Sequence, residues 1–518
     1  MSLPLLERAR SGDAGFLYTP VIGKRTRGAD ALVQIHGTPL IPQVPLQPGQ
    51  QYRFHFDMTK CVGCKCCVVA CNEQNGNPAA LNWRRVGEIE GGHFPYTQRY
   101  YLSMGCNHCL EPSCLEGCPV EAYTKDTLTG IVDHSADTCI GCQYCTWNCS
   151  YGVPQYNPER GVVGKCDMCH HRLTDGMAPA CVAACPQGAI AIEIVETAGW
   201  RQNYLDADVP GLPSADDSIS TTRITRPVDL LPDTGRVDTQ RIGLEEPHWP
   251  LVFMLVLTQL SVGAFVALWI LDLAGTASSL LLSAMAALGV AGVSLGASTL
   301  HLGRPVYAWR ALRGWKRSWL SREVLGLSAF AGAASLFAGL LLLDLPGRAG
   351  AGLLTALCGV LGVWCSARIY MVRARPAWNT SYTPAEFFAT AFLLGPLFVR
   401  ALGAGDVRML GYAAAAGAAV QLVTQALKFL WLARAEQFEP RASGLLLSTR
   451  LRRWYLLRMA LLVAAGFVLS LQVHSPAGAA ATLLLALAGE WMGRWLFFVS
   501  VVPKNIAASF TGAGKVAA

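Results

Sequence analysis

Hydrophobic and polar positions divide the chain into two unlike halves. Beyond residue 249, eight stretches of mostly apolar residues follow one another, near 250–272, 279–300, 322–343, 350–371, 384–403, 408–432, 455–472 and 478–502. Because about 20 such residues cross roughly 30 Å of hydrocarbon, each stretch predicts a membrane-spanning helix. The stretches have no polar stripe to present to water, which argues against a soluble helical bundle. The second half therefore predicts an all-α bundle of eight transmembrane helices.

The first half has only short apolar runs. Residues 1–51 are rich in Pro, Gly and Arg without periodicity and predict an extended N-terminal arm. Residues 52–195 combine cysteine groups with short strand-like pieces, which predicts a small α+β domain stabilised by metal sites. Prolines interrupt residues 196–249, which is typical of a strap or linker. Residues 250–518 then form the membrane domain.

Composition supports this division. The chain has 518 residues, of which 52% are hydrophobic and 15% charged, and its mean hydropathy is +0.33, which excludes intrinsic disorder. Residues 250–518 hold 22 Lys and Arg against 8 Asp and Glu, whereas residues 1–249 hold 20 against 27. A basic membrane half is therefore joined to an acidic half, and no feature of the sequence predicts a nucleic-acid partner.

Sixteen of the 19 cysteines form four regular groups. They are Cys61-x2-Cys64-x2-Cys67-x3-Cys71, Cys106-x2-Cys109-x4-Cys114-x3-Cys118, Cys139-x2-Cys142-x2-Cys145-x3-Cys149 and Cys166-x2-Cys169-x11-Cys181-x3-Cys185. Three thiolates this close can hold three corners of an iron-sulfur cube, while the fourth cysteine serves a second cluster. Structural zinc rarely uses this spacing, and disulfides need an oxidising compartment. The pattern predicts sixteen ligands for four 4Fe-4S clusters, with Cys66 as a small filler.

These groups, including the run Cys106-Asn107-His108-Cys109, resemble the four-cluster iron-sulfur subunits of the dimethyl sulfoxide reductase family of molybdenum enzymes over residues 52–195. The resemblance implies two nested ferredoxin-like units, in which the first group shares clusters with the fourth and the second with the third. The implied ligand sets are Cys61, Cys64 and Cys67 with Cys185; Cys71 with Cys166, Cys169 and Cys181; Cys106, Cys109 and Cys114 with Cys149; and Cys118 with Cys139, Cys142 and Cys145. Fully cysteine-ligated clusters conduct electrons and leave no obvious substrate position.

The membrane half resembles the anchor subunit of the same family. The runs 301–305 (His-Leu-Gly-Arg-Pro) and 318–323 (Ser-Trp-Leu-Ser-Arg-Glu) carry the resemblance, and 375–379 and 502–505 extend it to about residues 249–509. It implies oxidation of a quinol, menaquinol or ubiquinol, without haem. With His248, His301 and His474 as its only histidines, this half does not favour a bis-histidine haem.

Three polar residues are candidates for the quinol site. His301 ends the second stretch and Glu323 begins the third, so one loop could bring together two groups able to accept protons. Arg304 could orient a quinone carbonyl or a partner carboxylate. The structural alternatives are an interfacial helix-end histidine and a first-turn acid favoured by the helix dipole.

Other polar residues fall inside the apolar stretches. Glu490 and Arg494 have the spacing of an i,i+4 ion pair, which is the preferred interpretation, with a proton path as the alternative. Arg458 lies within the seventh stretch. Gln259, Gln421 and Gln425 are interpreted as interhelical hydrogen-bonding residues.

The combined prediction is an electron-transfer and membrane-anchor subunit that oxidises quinol and feeds a separate molybdopterin-containing subunit. Its other partners are membrane lipid and the quinone pool. Three alternatives remain open: the reverse direction, from a formate-type donor to quinone; an ion-translocating respiratory module built on Glu490, Arg494 and Arg458; and an anchored ferredoxin that donates to soluble partners without a quinone, in which His301 and Glu323 are dispensable.

The loop charges predict the topology. With eight spans, the iron-sulfur domain, the loops after spans two, four and six, and the C-terminus share one side, which carries most of the loop Arg and Lys. The positive-inside bias makes that side cytoplasmic in a bacterial inner membrane, although some of the charge could serve to dock the acidic half. No secretory or consecutive twin-arginine signal is visible, which agrees with this orientation.

Overall fold

The computed structural model describes residues 39–237, 242–275 and 279–505. Most of the predicted N-terminal arm, residues 1–38, lies outside the described residues. The part that follows packs against the first domain, because Leu40 and Ile41 are buried and the Leu40 carbonyl accepts a hydrogen bond from the Ile192 amide at 2.8 Å.

In the described residues, ten short strands form two three-stranded sheets and two hairpins. Their bounds are β1 Gln50–Asp57, β2 Arg85–His93, β3 Tyr96–Met104, β4 Tyr123–Lys125, β5 Val132–His134, β6 Gln155–Asn157, β7 Val162–Gly164, β8 Ile190–Glu196, β9 Arg223–Thr225 and β10 Gly235–Arg236. The sheets have the orders β8-β1-β9 and β10-β2-β3, and β4-β5 and β6-β7 are hairpins. In the first sheet Phe54 lies opposite Ile192 and Phe56 opposite Ile190, so alternate apolar residues of both strands enter one core.

Six short helices lie among these strands. Their bounds are α1 Cys66–Asn75, α2 Ser113–Gly117, α3 Tyr144–Asn148, α4 His170–Thr174, α5 Ala180–Ala183 and α6 Thr197–Asn203. The first five begin within or beside the cysteine groups. The predicted α+β ferredoxin-like fold is confirmed for this half. Residues 196–249 do more than link the two halves, because β9 and β10 from this segment complete both sheets.

Eight helices in the described part of the chain are long and apolar enough to cross a membrane, as predicted. They are Trp249–Leu273, Leu280–Thr299, Trp319–Leu342, Arg348–Tyr370, Tyr382–Ala401, Val407–Arg434, Arg452–Gln472 and Pro476–Val499, here called spans 1 to 8. Span 7 contains a π-helical segment, Ala464–Leu469, and a further helix, Phe438–Ser448, follows span 6. The chain is therefore a multi-pass membrane protein with a folded domain on one side.

Spans 1 and 5 are the most buried of the eight described spans. Small residues bring their backbones together: a Cβ on Gly263 of span 1 would clash with the Ala391 carbonyl, and one on Gly395 of span 5 would clash with Gly263. Close approach of this kind lets polar side chains from different helices meet within the bilayer.

Candidate functional site

The four cysteine groups share one turn geometry. In each, the backbone amide two residues after the first cysteine points at that cysteine's sulfur, and the donors are Gly63, His108, Gly141 and Met168. All four donors have φ between 44° and 70°, a left-handed conformation that curls the backbone around the sulfur. Amide donors of this kind stabilise a thiolate and tune the potential of a cluster. Glycine at 63 and 141 was a sequence signal for the turn.

The fold brings the cysteines together across groups. One cavity is lined by Cys61, Cys64, Cys67 and Cys185, and a second by Cys106, Cys109, Cys114 and Cys149. The remaining cysteines lie in two further neighbourhoods. Cys71 has Cys166, Cys169 and Cys181 as electrostatic neighbours, and Cys118 has Cys139, Cys142 and Cys145. Two cavities thus hold eight of the sixteen residues in two sets of four, and the other eight are linked through electrostatic neighbours, among which Cys166 also has Cys106 of the second cavity as a neighbour.

The chemistry of these sets fits iron-sulfur clusters. Burial raises the pKa of the Cys67 and Cys109 thiols to about 12, so thiolates there need a strong positive centre beside them. Across the described ranges, no three His, Cys, Asp or Glu side chains are close enough to hold a single metal ion. A cube spreads its thiolates over several irons and needs wider spacing than one zinc ion does. Cys66, predicted as a filler, is instead exposed.

Two buried cations between the cysteine sets were missed by sequence reasoning. Arg84 is 2% exposed, donates to the Ser103 hydroxyl at 3.2 Å, and has Cys67, Cys71, Cys166 and Cys181 as charge partners. Lys165 is 4% exposed and lies near the cysteines of the second cavity and Cys166. Neither Arg84 nor Lys165 belongs to the cysteine motifs from which the cluster ligands were predicted. Both offset the negative charge that clusters would place in this core.

The loop after span 2 docks on the third cysteine group. The His301 ring contacts the Cys142 carbonyl through Nε2 at 3.1 Å, and Arg304 donates to the Ala136 carbonyl at 2.9 Å. The backbones of Gly303 and Gly161 touch, and a Cβ on Gly303 would clash with the Gly161 carbonyl. Arg304 therefore holds the two halves together and does not contact Glu323.

An aromatic cluster lies where the two halves meet. Trp147, from helix α3, is 4% exposed and inserts between rings of the membrane half. Its ring centroid lies 5.3 to 6.2 Å from those of the surrounding residues, His248, His301, Tyr370, Trp378 and Phe498. Sequence reasoning missed Trp147, although an aromatic residue between Cys145 and Cys149 was an available signal.

Glu323 is buried on the other side of this junction. It lies in the first turns of span 3, is 8% exposed, and has Ser366, Tyr370 and Tyr144 as polar neighbours. No hydrogen bond or ion pair joins it to His301 in the part of the chain that the structure describes. The loop brings both residues to the same junction, but it does not bring their side chains together.

A cavity of about 320 Å³ opens at this junction. Tyr144 and Asn148 of α3 line it from the iron-sulfur half, and Trp319 and Arg368 line it from the membrane half. Trp319 lies one helical turn before Glu323, and Tyr144 is an electrostatic neighbour of that carboxyl group. The cavity therefore adjoins the helix of the third cysteine group and the first turn of span 3, although neither Glu323 nor His301 is among its lining residues.

The interior of the bundle holds an ionic network, in which Glu490 and Arg494 interact as charge partners but do not form the predicted direct ion pair. Glu490 accepts hydrogen bonds from Thr390 at 2.6 Å and Gln421 at 3.1 Å, and its ionic partner is Arg458 at 3.9 Å. Arg494 instead donates to Gln259 at 2.9 Å. Tertiary packing of four spans overrides the local i,i+4 spacing. The interhelical roles predicted for Gln259 and Gln421 are confirmed.

The predicted arrangement of loops is confirmed by contacts with the iron-sulfur half. Arg373, after span 4, donates to the Asp216 carbonyl at 2.9 Å, and Lys504, after span 8, pairs with Asp217 at 3.0 Å. Arg236 lies over the Phe438 ring after span 6. These contacts place the loops after spans 2, 4 and 6 and the segment after span 8 on the side of the iron-sulfur half, here called the cluster side.

Comparisons with known proteins match both halves. Residues 242–499 match the family model described as DMSO reductase anchor subunit (DmsC), and residues 97–194 match the 4Fe-4S dicluster domain. The probable anaerobic dimethyl sulfoxide reductase chain YnfG of Escherichia coli K12 is 39% identical over 173 residues, which is 32% of this chain and 83% of the relative. An anaerobic dimethyl sulfoxide reductase subunit of Haemophilus influenzae is 36% identical over 177 residues, 32% of this chain and 85% of the relative.

Proposed function

Because the chain belongs to the dimethyl sulfoxide reductase family, as an iron-sulfur subunit fused to a DmsC-type anchor, we propose that it oxidises quinol at the junction of its two halves. The single observation that carries this proposal is the 320 Å³ junction cavity beside the buried Glu323. Its volume is within the range of small-molecule sites, and its walls include the rings of Tyr144 and Trp319 together with four carboxylate side chains and three arginines. One wall belongs to the helix between Cys142 and Cys149, so an electron donor bound here would lie next to cluster ligands.

The residues of the junction have distinct roles in this proposal. The Glu323 carboxylate accepts a proton from a quinol hydroxyl, and Tyr144 and Arg368 orient the ring. Burial lowers the pKa of the His301 imidazole, which favours the neutral ring. With Nε2–H donating to the Cys142 carbonyl, Nδ1 is an acceptor that can hold the second hydroxyl. Arg304 fixes the loop that carries His301.

The sixteen cysteines would hold four 4Fe-4S clusters in the sets given above. Bound clusters supply one-electron transfer. The two cysteine-lined cavities and the two electrostatic neighbourhoods support this pairing. Cys118, Cys139, Cys142 and Cys145 share a core with the membrane half, so their set is the first to receive electrons from the junction.

The electrons would leave the chain for a separate catalytic subunit. The family's catalytic partners and the reductase subunits among the relatives support a molybdopterin-containing partner and flow from quinol to that partner. The basic cluster side supports a cytoplasmic orientation in a bacterial inner membrane. Part of that charge is used in docking, since Arg310 donates to the Asp137 carbonyl.

Variants at the junction test the proposal. In the purified complex, Glu323→Gln is expected to slow quinol-dependent reduction of the clusters by about 100-fold or more, since it removes a proton acceptor. His301→Ala is expected to slow the same step. Reduced viologen should still reduce the clusters in both variants, and Glu436→Gln, at an exposed loop position, is the matched control. Quinol-dependent rates equal to wild type in both variants would refute the site.

A further inference from the structure

The proposed quinol chemistry does not involve the ionic network of Glu490, Arg458 and Arg494 inside the bundle. We propose that it is the proton route from the quinol site, and that it returns the protons to the cluster side and not across the membrane. This inference rests on the proposed function. Oxidation of quinol breaks two O–H bonds, and the two electrons go to the iron-sulfur clusters while the two protons must leave the buried junction.

Glu323 connects to the network through Tyr370. Tyr370 ends span 4 and interacts electrostatically with both Glu323 and Arg494. The Arg494 guanidinium lies over the Phe387 ring at 4.0 Å, and the Phe387 and Tyr370 ring centroids are 5.7 Å apart. The Tyr370 hydroxyl is therefore the group through which a proton can pass from the junction into the bundle.

Two further carboxylates continue the route. Arg494 has Glu386 and Glu490 as its two strongest charge partners. Thr390 donates to Glu490 and stands one helical turn from Glu386 on span 5, which places both carboxylates along one line of the bundle. Glu386 pairs with Lys428 at 2.9 Å. Charges this deep in a bilayer are costly and are typical of ion or proton pathways.

A cavity of about 30 Å³ adjoins these groups, with room for one or two water molecules. Glu386, Lys428, Tyr455 and Arg458 line it. Arg458 is 4% exposed, and among the described residues its Nε has no hydrogen-bond partner. Gly493 makes room for this guanidinium, because any Cβ there would clash with it. A buried N–H group without a partner, at the wall of a polar cavity, favours a bound water molecule. Such a water can carry protons along the route.

The direction of the route follows from where the polar groups stop. The cavity reaches Ala377, Leu447 and Ser500, which follow spans 4, 6 and 8 on the cluster side. Glu490 is the deepest charge, about 14 Å from the cluster-side end of span 8. Between the depth of Glu490 and the side of the membrane opposite the cluster side, the described spans carry charged side chains only at their ends. Asp272 and Arg400 are examples. The network therefore connects the junction to one side only.

Proton release from the whole complex in liposomes tests the inference. With the clusters facing outward, quinol added to the oxidised complex should release about one proton per electron to the medium, detected by a membrane-impermeant pH dye outside. A second dye inside should stay constant. Acidification of the interior would overturn the route. If wild type fails to reduce its clusters with quinol at all, the proposed function falls together with the route.

Two variants and a control test the residues themselves. Glu490→Gln and Glu386→Gln are each expected to slow quinol-dependent proton release at least tenfold, while viologen reduces the clusters at the wild-type rate. Thr482→Val is the matched control, because this buried span 8 residue lies on the far side of Glu490 and donates only to the Gly478 carbonyl. Wild-type proton release in both glutamate variants would overturn the assignment, and cluster content measured in each variant separates misassembly from a lost route.

Discussion

Arg84 offers a sharp test of how this protein sets its cluster potentials. Its guanidinium donates to the Ser103 hydroxyl at 3.2 Å, and that hydroxyl lies 3.3 Å from the Cys67 sulfur. The cation is therefore within about 6.5 Å of a sulfur that is proposed as a cluster ligand. At an effective dielectric constant of about 20, two opposite unit charges at this distance attract each other by about 2.5 kcal/mol. Reduction makes a cluster more negative, so the buried cation favours the reduced form.

Arg84→Gln should therefore lower the potential of the nearest clusters by about 100 mV, since about 59 mV corresponds to a tenfold change for one electron. An EPR-monitored redox titration of the whole complex measures this shift. Arg84→Lys, which keeps the charge, should shift the potential much less. Arg99→Gln is the control, because Arg99 is exposed on β3 and pairs with Glu90. A shift below about 20 mV in Arg84→Gln, with full cluster content, would refute the electrostatic reasoning.

Three further outcomes follow from the geometry. Iron and acid-labile sulfide in anaerobically purified protein should each approach about 16 per chain, as four 4Fe-4S clusters require, and stoichiometric zinc would contradict this. Gly303→Ala should separate the halves at their glycine contact and slow quinol-dependent reduction while viologen still reduces the clusters; an unchanged rate would mean that the contact is dispensable. A fluorescent protein fused after Ala518 should fluoresce and a periplasmic phosphatase at the same position should be inactive, with the reverse pattern contradicting a cytoplasmic cluster side.

The membrane half was predictable because hydrophobic length alone determines it. The predicted spans agree with the observed bounds to within three residues at nearly every end, and the cysteine spacing identified the metal chemistry without any structure. Both signals are local in sequence. The α+β character of the first half followed from short strand-like runs between the cysteine groups.

The contacts within the site were harder to predict because they join residues far apart in sequence. Glu490 makes its direct ion pair with Arg458 and is a more distant charge partner of Arg494, since four spans converge on that point and helix spacing describes only one of them. The spacing rules of metal-binding motifs do not identify Trp147, which inserts between the aromatic rings of the membrane half, or the buried cation Arg84. The junction cavity forms where α2, α3 and residues 216–218 meet spans 3 and 4, so no single segment could reveal it.

The strands contributed by residues 196–249 were missed for a related reason. Prolines in this segment favour a linker, and β9 and β10 are only three and two residues long, too short for a periodic pattern to register. They form because β1 and β2 each have an edge with free backbone N–H and C=O groups. The backbone of β9 pairs with the edge of β1, and that of β10 pairs with the edge of β2.

In the proposed function, quinol bound at the junction reduces the iron-sulfur clusters of this chain. Rapid anaerobic mixing of the oxidised complex with quinol, followed by the loss of cluster absorbance, measures this step directly. Quinol should reduce the clusters in wild type and in Glu436→Gln but not in Glu323→Gln, while viologen reduces the clusters of all three proteins. Clusters that stay oxidised after quinol is mixed with wild type, yet respond to viologen, would show that quinol does not donate electrons at the junction.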